Sequence, residues 1–440
     1  MYALRRFGIK LGLDVIGNIL SGLGNPHLCF SAIHIAGTNG KGSIASALAS
    51  ILNAAGHKVG LYTSPHLVRF NERICINNRQ VSDDDVVEAW QAVKKVHTGS
   101  REPTFFEYTT AMALYLFKKT GVELAIMETG MGGRLDATNI VKPALCLISN
   151  ISLEHRFYLG NTISAIAGEK AGIIKQKTPV VCGITQPSAI DVIEKNAAKH
   201  AAPLFLLKKD FRVRSYGKNT FTYYGKEVRW PKMCTPLPGD HQKDNAALVL
   251  AACEILMKED PLLTIDAIRK GLAAVRWPGR LEIIGKPNDI HPEIILDGAH
   301  NLDATRKLAK FLKTYTAGRK ITLIIGILDD KPYKGMLNAI IPLCNRIIIT
   351  EPDIDRAFPP ARLLPAVLKF TRHTEIIPRV KDAVDHAINT TSSEDMVCVA
   401  GSLYVVGEAR QFLEQLKLVS DVNYHKKRVL PQLKLGSEGS

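Results

Sequence analysis

Between Ile33 and Leu52 the chain reads IHIAGTNGKGSIASALASIL. Three glycines, one lysine and two hydroxyl side chains stand between an apolar strand-like run and an apolar helix-like run. The chemistry this spacing offers is phosphate binding. A helix N-terminus presents unpaired N–H groups and a partial positive charge. Gly37, Gly40 and Gly42 let backbone amides approach oxygens with no Cβ in the way. Lys41 adds a point charge for terminal phosphates, and Thr38 and Ser43 offer hydroxyls for phosphate or Mg²⁺. Thr38, Asn39, Gly40, Lys41, Gly42 and Ser43 are therefore the candidate nucleotide cradle. The strict pattern G-x-x-x-x-G-K-[ST] is not met, because Ile35 stands at its first glycine and Gly42 follows the lysine. A plain βα turn would explain the glycines but not a lysine and a serine where the helix opens.

Other residues stand where such chemistry needs them. Glu128 ends an apolar strand, the position at which open α/β sheets hold ligands; capping a neighbouring helix is its alternative role. His155 on its own reads as an ordinary loop histidine. Lys170 lies on a helix, where lysines are normally solvated; burial there would lower its pKa and favour the neutral amine. His241 and Asn245 are four apart on one helical face. Arg280 lies beside a Pro- and Gly-rich linker and could clamp phosphate when two domains close.

The elements that must position these residues are legible as alternating short apolar and longer amphipathic runs. Strands are expected at 32–36, 59–62, 124–127, 145–149 and 180–182. Helices are expected at 42–55, 83–96, 109–119, 162–171 and 240–257. This alternation implies a parallel sheet covered by helices on both faces. From Leu204 to Val228, short alternating segments around Gly-Lys-Asn and Tyr-Gly-Lys turns read as antiparallel hairpins. A linker is expected at 278–288, followed by a second β/α series with strands at 294–296, 321–325, 346–349 and 396–399. The expected fold class is thus α/β: a doubly wound, mainly parallel sheet of P-loop type with a small antiparallel addition near 203–230, over residues 1–285. A smaller Rossmann-like α/β domain over 286–420 and a basic tail over 421–440 complete it.

Bulk properties exclude several classes. The 440 residues are 46% hydrophobic and 22% charged, as in ordinary globular proteins. No apolar run is long enough to span a bilayer, and the first residues lack the apolar core of a secretory leader. The eight cysteines are scattered with no CxxC, so small buried thiols and a reducing cytoplasm are expected. The net charge of +15 is spread along the chain. It suits polyanionic small ligands, and no nucleic-acid motif accompanies it.

The segment IAGTNGKGS resembles the phosphate loop of folylpolyglutamate and dihydrofolate synthases, within the Mur ligase superfamily. YTSPHLVRFNERI, PTFFEYTTAMA, METGMGGRLDATN, ISLEHRFYLGNT, IAGEKAGIIK, LPGDHQKDNAALVLAA, WPGRLE, ILDGAHN and GSLYVVGEAR are similar to that family's blocks, in order and over essentially the whole chain. The resemblance implies an ATP-binding N-terminal domain and a C-terminal glutamate-ligase domain. Ser64, Glu128 and His155, with Ser43, would hold Mg²⁺, in two sites; Glu154 stands where the family usually has Asp. Lys170 would be a carbamate facing the second Mg²⁺. Asn245, Arg280, Asp297 and His300 would contact ATP, while Lys41, Glu128, His155 and Lys170 would be catalytic. Thr104, Phe105, Phe106 and Glu107 would meet the pteridine, the rings by stacking and the carboxylate by pairing with an amino edge, and Leu135, Asp136 and Ala137 would join them. As core residues the two phenylalanines are equally ordinary. The opening RFGIKLGLDVI resembles a dihydropteroate-contacting segment, although Lys10 stands where family members often have Asp.

The reaction so implied is ATP-dependent attachment of L-glutamate to dihydropteroate and to reduced folates through an acyl phosphate, by a cytoplasmic monomer with no nucleic-acid or membrane partner. The alternatives are a monofunctional folylpolyglutamate synthase, another Mur-type ligase, or a nucleotide-dependent switch. A GTPase would need Asn-Lys-x-Asp, which DDKP at Asp329 is not.

Overall fold

The computed structural model describes residues 12–97, 101–216, 219–285 and 290–419. The opening segment around Lys10 and the basic tail lie outside these residues. Eight strands build the first sheet: β1 (Ser31–Ala36), β2 (Val59–Tyr62), β3 (Ile74–Ile76), β4 (Arg79–Gln80), β5 (Leu124–Glu128), β6 (Pro143–Ile148), β7 (Val180–Cys182) and β8 (Leu204–Leu206), in the order β4-β3-β2-β5-β1-β6-β7-β8. All neighbours are parallel except along the β2-β3-β4 edge.

β1 is central and covered on both faces, which its near-continuous apolar run demands. Ile33 and Ile35 pack against the helices Lys41–Ala54 and Asp240–Leu256, whereas Ala32 packs against the helix Phe105–Thr120. That last helix begins four residues earlier than its apolar spacing suggests. Thr104 and Glu107 form a reciprocal capping box that fixes the start, and Gly121, at φ 69°, ends it.

β9 (Arg212–Ser215), β10 (Thr220–Tyr224) and β11 (Arg229–Cys234) make the antiparallel addition. β8 does not join it. Helix Pro187–Lys199 carries the chain across so that β8 extends the large sheet parallel to β7. A run of this length is too short to show which sheet it serves.

The second sheet comprises β12 (Glu282–Ile284), β13 (Glu293–Leu296), β14 (Ile321–Ile325), β15 (Arg346–Glu351), β16 (Thr374–Arg379) and β17 (Met396–Ala400), in the order β12-β13-β17-β14-β15-β16. Only β12 is antiparallel to its neighbour. This sheet therefore starts at Glu282, just before the division expected near residue 285. Helices Leu302–Tyr315 and Leu403–Gln415 cover opposite faces. Leu67, from the loop after β2, packs against the second of these helices and joins the two units by apolar contact. Among the described residues, no helix is long and apolar enough to cross a membrane.

Candidate active site

A cleft of ≈ 530 Å³ lies between the two units, at the C-terminal ends of their parallel strands. It gathers all of Thr38, Asn39, Gly40, Lys41, Gly42, Ser43, Ser64, Glu128, His155, Asn245, Arg280, Asp297 and His300. Their separation in sequence is undone by the topology, because open α/β sheets deliver their loops to one edge.

The cradle is built from behind. Thr38 N–H donates to Asn150 O at 2.9 Å, Asn39 N–H to Asn150 Oδ1 at 3.0 Å, and Ser149 Oγ–H to Asn39 O at 2.7 Å. Gly40 caps the helix at φ 86°, in the left-handed region that glycine adopts without strain. Gly42 is required for another reason: a Cβ there would lie 2.5 Å from the indole of Trp277. Lys41 folds back over the loop and donates to Gly37 O (3.1 Å) and Thr38 O (3.2 Å), with Glu128 Oε1 3.9 Å away. Ser43 is buried and receives Gln242 Nε2 at 3.4 Å; Asn245 Nδ2 in turn donates to Gln242 Oε1 at 2.8 Å.

Glu128 is buried, and its Oε2 accepts the Ser64 N–H at 3.1 Å. Burial raises its carboxyl pKa, with Lys41 opposing. Lys170 does not line the cleft. It sits beneath the cradle, buried, and donates to Gly37 O at 2.8 Å. Burial first, and then the charge of Lys41, lower its pKa to about 7. His155 opens a short helix at φ 51°, and burial lowers its pKa to about 4. Burial likewise lowers that of His241, on the cleft wall, to about 4.

Across the cleft, buried Asp297 accepts the N–H groups of Leu281 (2.9 Å) and Ala299 (3.0 Å), and burial raises its pKa. Arg280 donates to Gly298 O at 3.1 Å, and His300 Nδ1 lies 2.8 Å from the same oxygen. The units are tied together at Glu154. Its Oε1 lies 3.2 Å from His300 Nε2 and 3.4 Å from Lys331 Nζ, and its Oε2 3.4 Å from Asn301 Nδ2. Burial alone would raise the Glu154 pKa, but His300, then Lys331 and His155, hold it well below the usual carboxylate range. Asn39 adds bonds to Asn301 (2.9 Å) and Asp303 (2.9 Å). Glu154, Asn301, Lys331, Gln242 and Trp277 join the site without being among the residues expected there. Glu154 stands beside His155 where the family usually has Asp, and Gln242, Trp277 and Asn301 fall inside blocks that resemble the family's, whereas Lys331 carries no such signal.

The residues expected to meet a pteridine lie beside the cleft rather than on its wall. Phe106 packs on Gly130, which does line it, and on Tyr62 at 6.0 Å between centroids. Phe105 stacks under the Arg73 guanidinium at 5.2 Å. The Glu107 carboxylate is not free to pair with an amino edge. It accepts Thr104 N–H (2.7 Å) and Oγ–H (2.8 Å) and both terminal nitrogens of Arg101. A glutamate three residues after a threonine closes a capping box, and that use wins here. Leu135 is half-buried. Asp136 and Ala137 are buried, and Asp136 caps the turn that follows it.

Residues 35–253 match the Mur ligase middle domain, and residues 279–403 match the Mur ligase, glutamate ligase domain. The dihydrofolate synthase/folylpolyglutamate synthase of Bacillus subtilis is 37% identical over 93% of this chain and 96% of that protein. That of Escherichia coli is 31% identical over 92% of each. Among solved structures, the folylpolyglutamate synthase of Thermotoga maritima matches with a TM-score of 0.84 at 37% identity, over 95% of this chain and 96% of that one. E. coli FolC in complex with DHPP and ADP matches at 0.85 and 30% identity, over 93% and 94%. The chain belongs to the Mur ligase family, among the dihydrofolate and folylpolyglutamate synthases.

Proposed function

We propose that this chain is an ADP-forming ligase that joins L-glutamate to dihydropteroate and to reduced folates. The observation that carries the reading is convergence. A glycine cradle, a lysine and a buried carboxylate from one unit face Arg280, Asp297 and His300 of a glutamate-ligase domain across one cleft.

A carboxylate oxygen of the acid attacks the γ-phosphorus of ATP, and ADP departs. The glutamate amine then attacks the acyl carbon, phosphate leaves, and the amine proton is lost. The cradle amides and Lys41 hold the phosphates and oppose the charge developing on the transferring group. Asn245 and Gln242 position the opening turn of the helix, and Arg280 adds positive charge from the linker side. Asp297 and His300 face the nucleotide from the second unit. The bonds from Glu154 and Asn39 keep the units together while the acyl phosphate exists, and this excludes water that would hydrolyse it.

The donor set suits Mg²⁺, which takes oxygen ligands and keeps several waters. Glu128 is a buried carboxylate whose nearest cation, Lys41, is already spent on two carbonyls. Ser43, Ser64, Glu128 and His155 would hold the ion, with Lys170 facing a second one as a carbamate. Bound there, it neutralises phosphate charge. Among the described residues, no three His, Cys, Asp or Glu side chains cluster to hold a metal by themselves, so phosphate and water oxygens would complete the shell. Lys170 held near neutrality is the form that adds carbon dioxide with loss of a proton. Phe105, Phe106, Leu135, Asp136 and Ala137 form the acid-binding side, with Thr104 and Glu107 fixing the helix that carries the two rings.

ADP release with ATP, L-glutamate and either dihydropteroate or tetrahydrofolate tests the reading. Turnover with both acids is expected. Turnover with tetrahydrofolate alone makes the enzyme a monofunctional folylpolyglutamate synthase, and turnover with neither overturns the proposal.

A further inference from the structure

His34 lies in the middle of β1, fully buried, beside Met127 of β5 and Cys146 of β6 in register. The phosphoryl-transfer chemistry above makes no use of it. Its Nε2 is 2.8 Å from Thr138 Oγ1, and Thr138 Oγ1 is 2.5 Å from Asp136 Oδ1. Asp136 Oδ1 also accepts the Thr138 N–H at 3.0 Å, and its Oδ2 accepts the Met131 N–H at 2.8 Å.

The protons in this chain can be placed. A carboxylate only accepts, so the single hydroxyl proton of Thr138 goes to Asp136. Thr138 must then accept from His34, which therefore carries its proton on Nε2. That leaves Nδ1 a bare acceptor, and Nδ1 is the buried atom with no partner. The other tautomer would bury an unpaired N–H, the costlier arrangement. A half-satisfied imidazole inside a sheet costs stability that an apolar side chain would not. Here it connects two parts of one site. Three residues beyond His34, the same strand runs into Gly37 and the phosphate cradle. Through Thr138, His34 grips the loop 130–139.

We propose that His34 is a positioning residue for the acid substrate: it ties the acid-binding loop to the strand that carries the phosphate cradle and so sets how the carboxylate meets the γ-phosphate. The inference rests on the reading of Leu135, Asp136 and Ala137 as acid contacts.

His34→Phe keeps a planar buried ring and removes the donor. The expected result is a KM for the acid raised about tenfold, with the KM for ATP within about twofold of wild type. His34→Gln, whose amide can again donate to Thr138, recovers most of that loss. Thr138→Val reproduces the effect of His34→Phe, and the double variant is no worse than either single one, because both remove one linkage. Unchanged acid KM in His34→Phe and Thr138→Val overturns the proposal, as do KM values for acid and ATP that rise together or losses that simply add. If His34→Phe does not fold, Thr138→Val carries the same KM test, because it removes the acceptor of the same linkage. ¹⁵N spectra of histidine-labelled protein read the tautomer without any turnover; a proton on Nδ1 sinks the argument. Wild-type enzyme with no acid-dependent ADP release would instead sink the ligase reading, leaving the ¹⁵N result to judge the linkage.

Discussion

Lys170→Met is the substitution that most sharply separates a chemical role from a structural one. The Lys170 ammonium is buried beneath the phosphate cradle, and burial, then Lys41, lower its pKa from 10.5 to about 7. At 1.36 kcal/mol per pH unit, charging it in the folded protein costs roughly 5 kcal/mol more than in the unfolded chain. The sign follows from proton counting. Between pH 7 and pH 10.5 the unfolded chain holds a proton at this site that the folded protein lacks. In carbon dioxide-free buffer, stability therefore rises with pH through that window and carries the full penalty below it. Methionine fills similar volume without the charge, so urea midpoints of Lys170→Met should lose this slope between pH 7 and pH 10 and should not fall at pH 7. Turnover should move the other way. If Lys170 works as a carbamate, the methionine variant loses about 100-fold or more in the rate of ADP release. Wild-type enzyme stripped of carbon dioxide at pH 6 should lose activity and regain it on adding bicarbonate. A methionine variant within threefold of wild-type turnover would refute the carbamate. A wild-type pH slope that persists in the variant would refute the burial argument.

Lys41→Ala should cut ADP release about 10³-fold in steady-state assays, because on the proposed reading the cradle loses the cation that opposes charge on the transferring phosphoryl group. Gly42→Ala places a Cβ 2.5 Å from the Trp277 indole; the ATP Kd by titration calorimetry should rise about tenfold, and Trp277→Ala in the same chain should restore part of it. Glu154→Gln should raise the KM for ATP about fivefold, because a neutral amide no longer draws His300 and Lys331 across the cleft. Since the Glu154 carboxyl pKa is lowered in the folded protein, its stabilisation is present above about pH 4.5 and is withdrawn as pH falls further. Urea midpoints of wild type minus Glu154→Gln should shrink in that acid range.

What the sequence made legible followed from locality. The strands leading to the cleft are short apolar runs between turn residues, and the cradle is contiguous, so its chemistry could be argued from one stretch. Elements whose identity depends on distant partners were less readable. β3 and β4 are very short, and β16 has a polar, half-exposed pattern. Among site residues the same division holds. Glu154 meets Asn301 and Lys331 at separations of 147 and 177 residues, so no local pattern could announce the contact. Glu107 shows the opposite case. The family resemblance assigned it to a ligand, while the T-x-x-E spacing around it already described a helix cap.

The way the chain passes between the units shows how the cradle is joined to the second domain. On one side, Ser46 in the cradle helix donates to Arg276 O at 3.1 Å, and Trp277 lies against Gly42. On the other, Gly298 N–H donates to Gly279 O at 2.8 Å, and Leu281 N–H donates to Asp297. Residues up to Trp277 thus belong mechanically to the first unit, and residues from Gly279 onward to the second. Pro278, with φ confined by its ring, and Gly279, at φ 69°, connect the two. Arg280 follows immediately, its guanidinium bonded to Gly298 beside Asp297 and His300 on the cleft wall. The cradle helix, the linker and the glutamate-ligase domain are therefore joined through neighbouring residues, and side chains from both units line the one cleft.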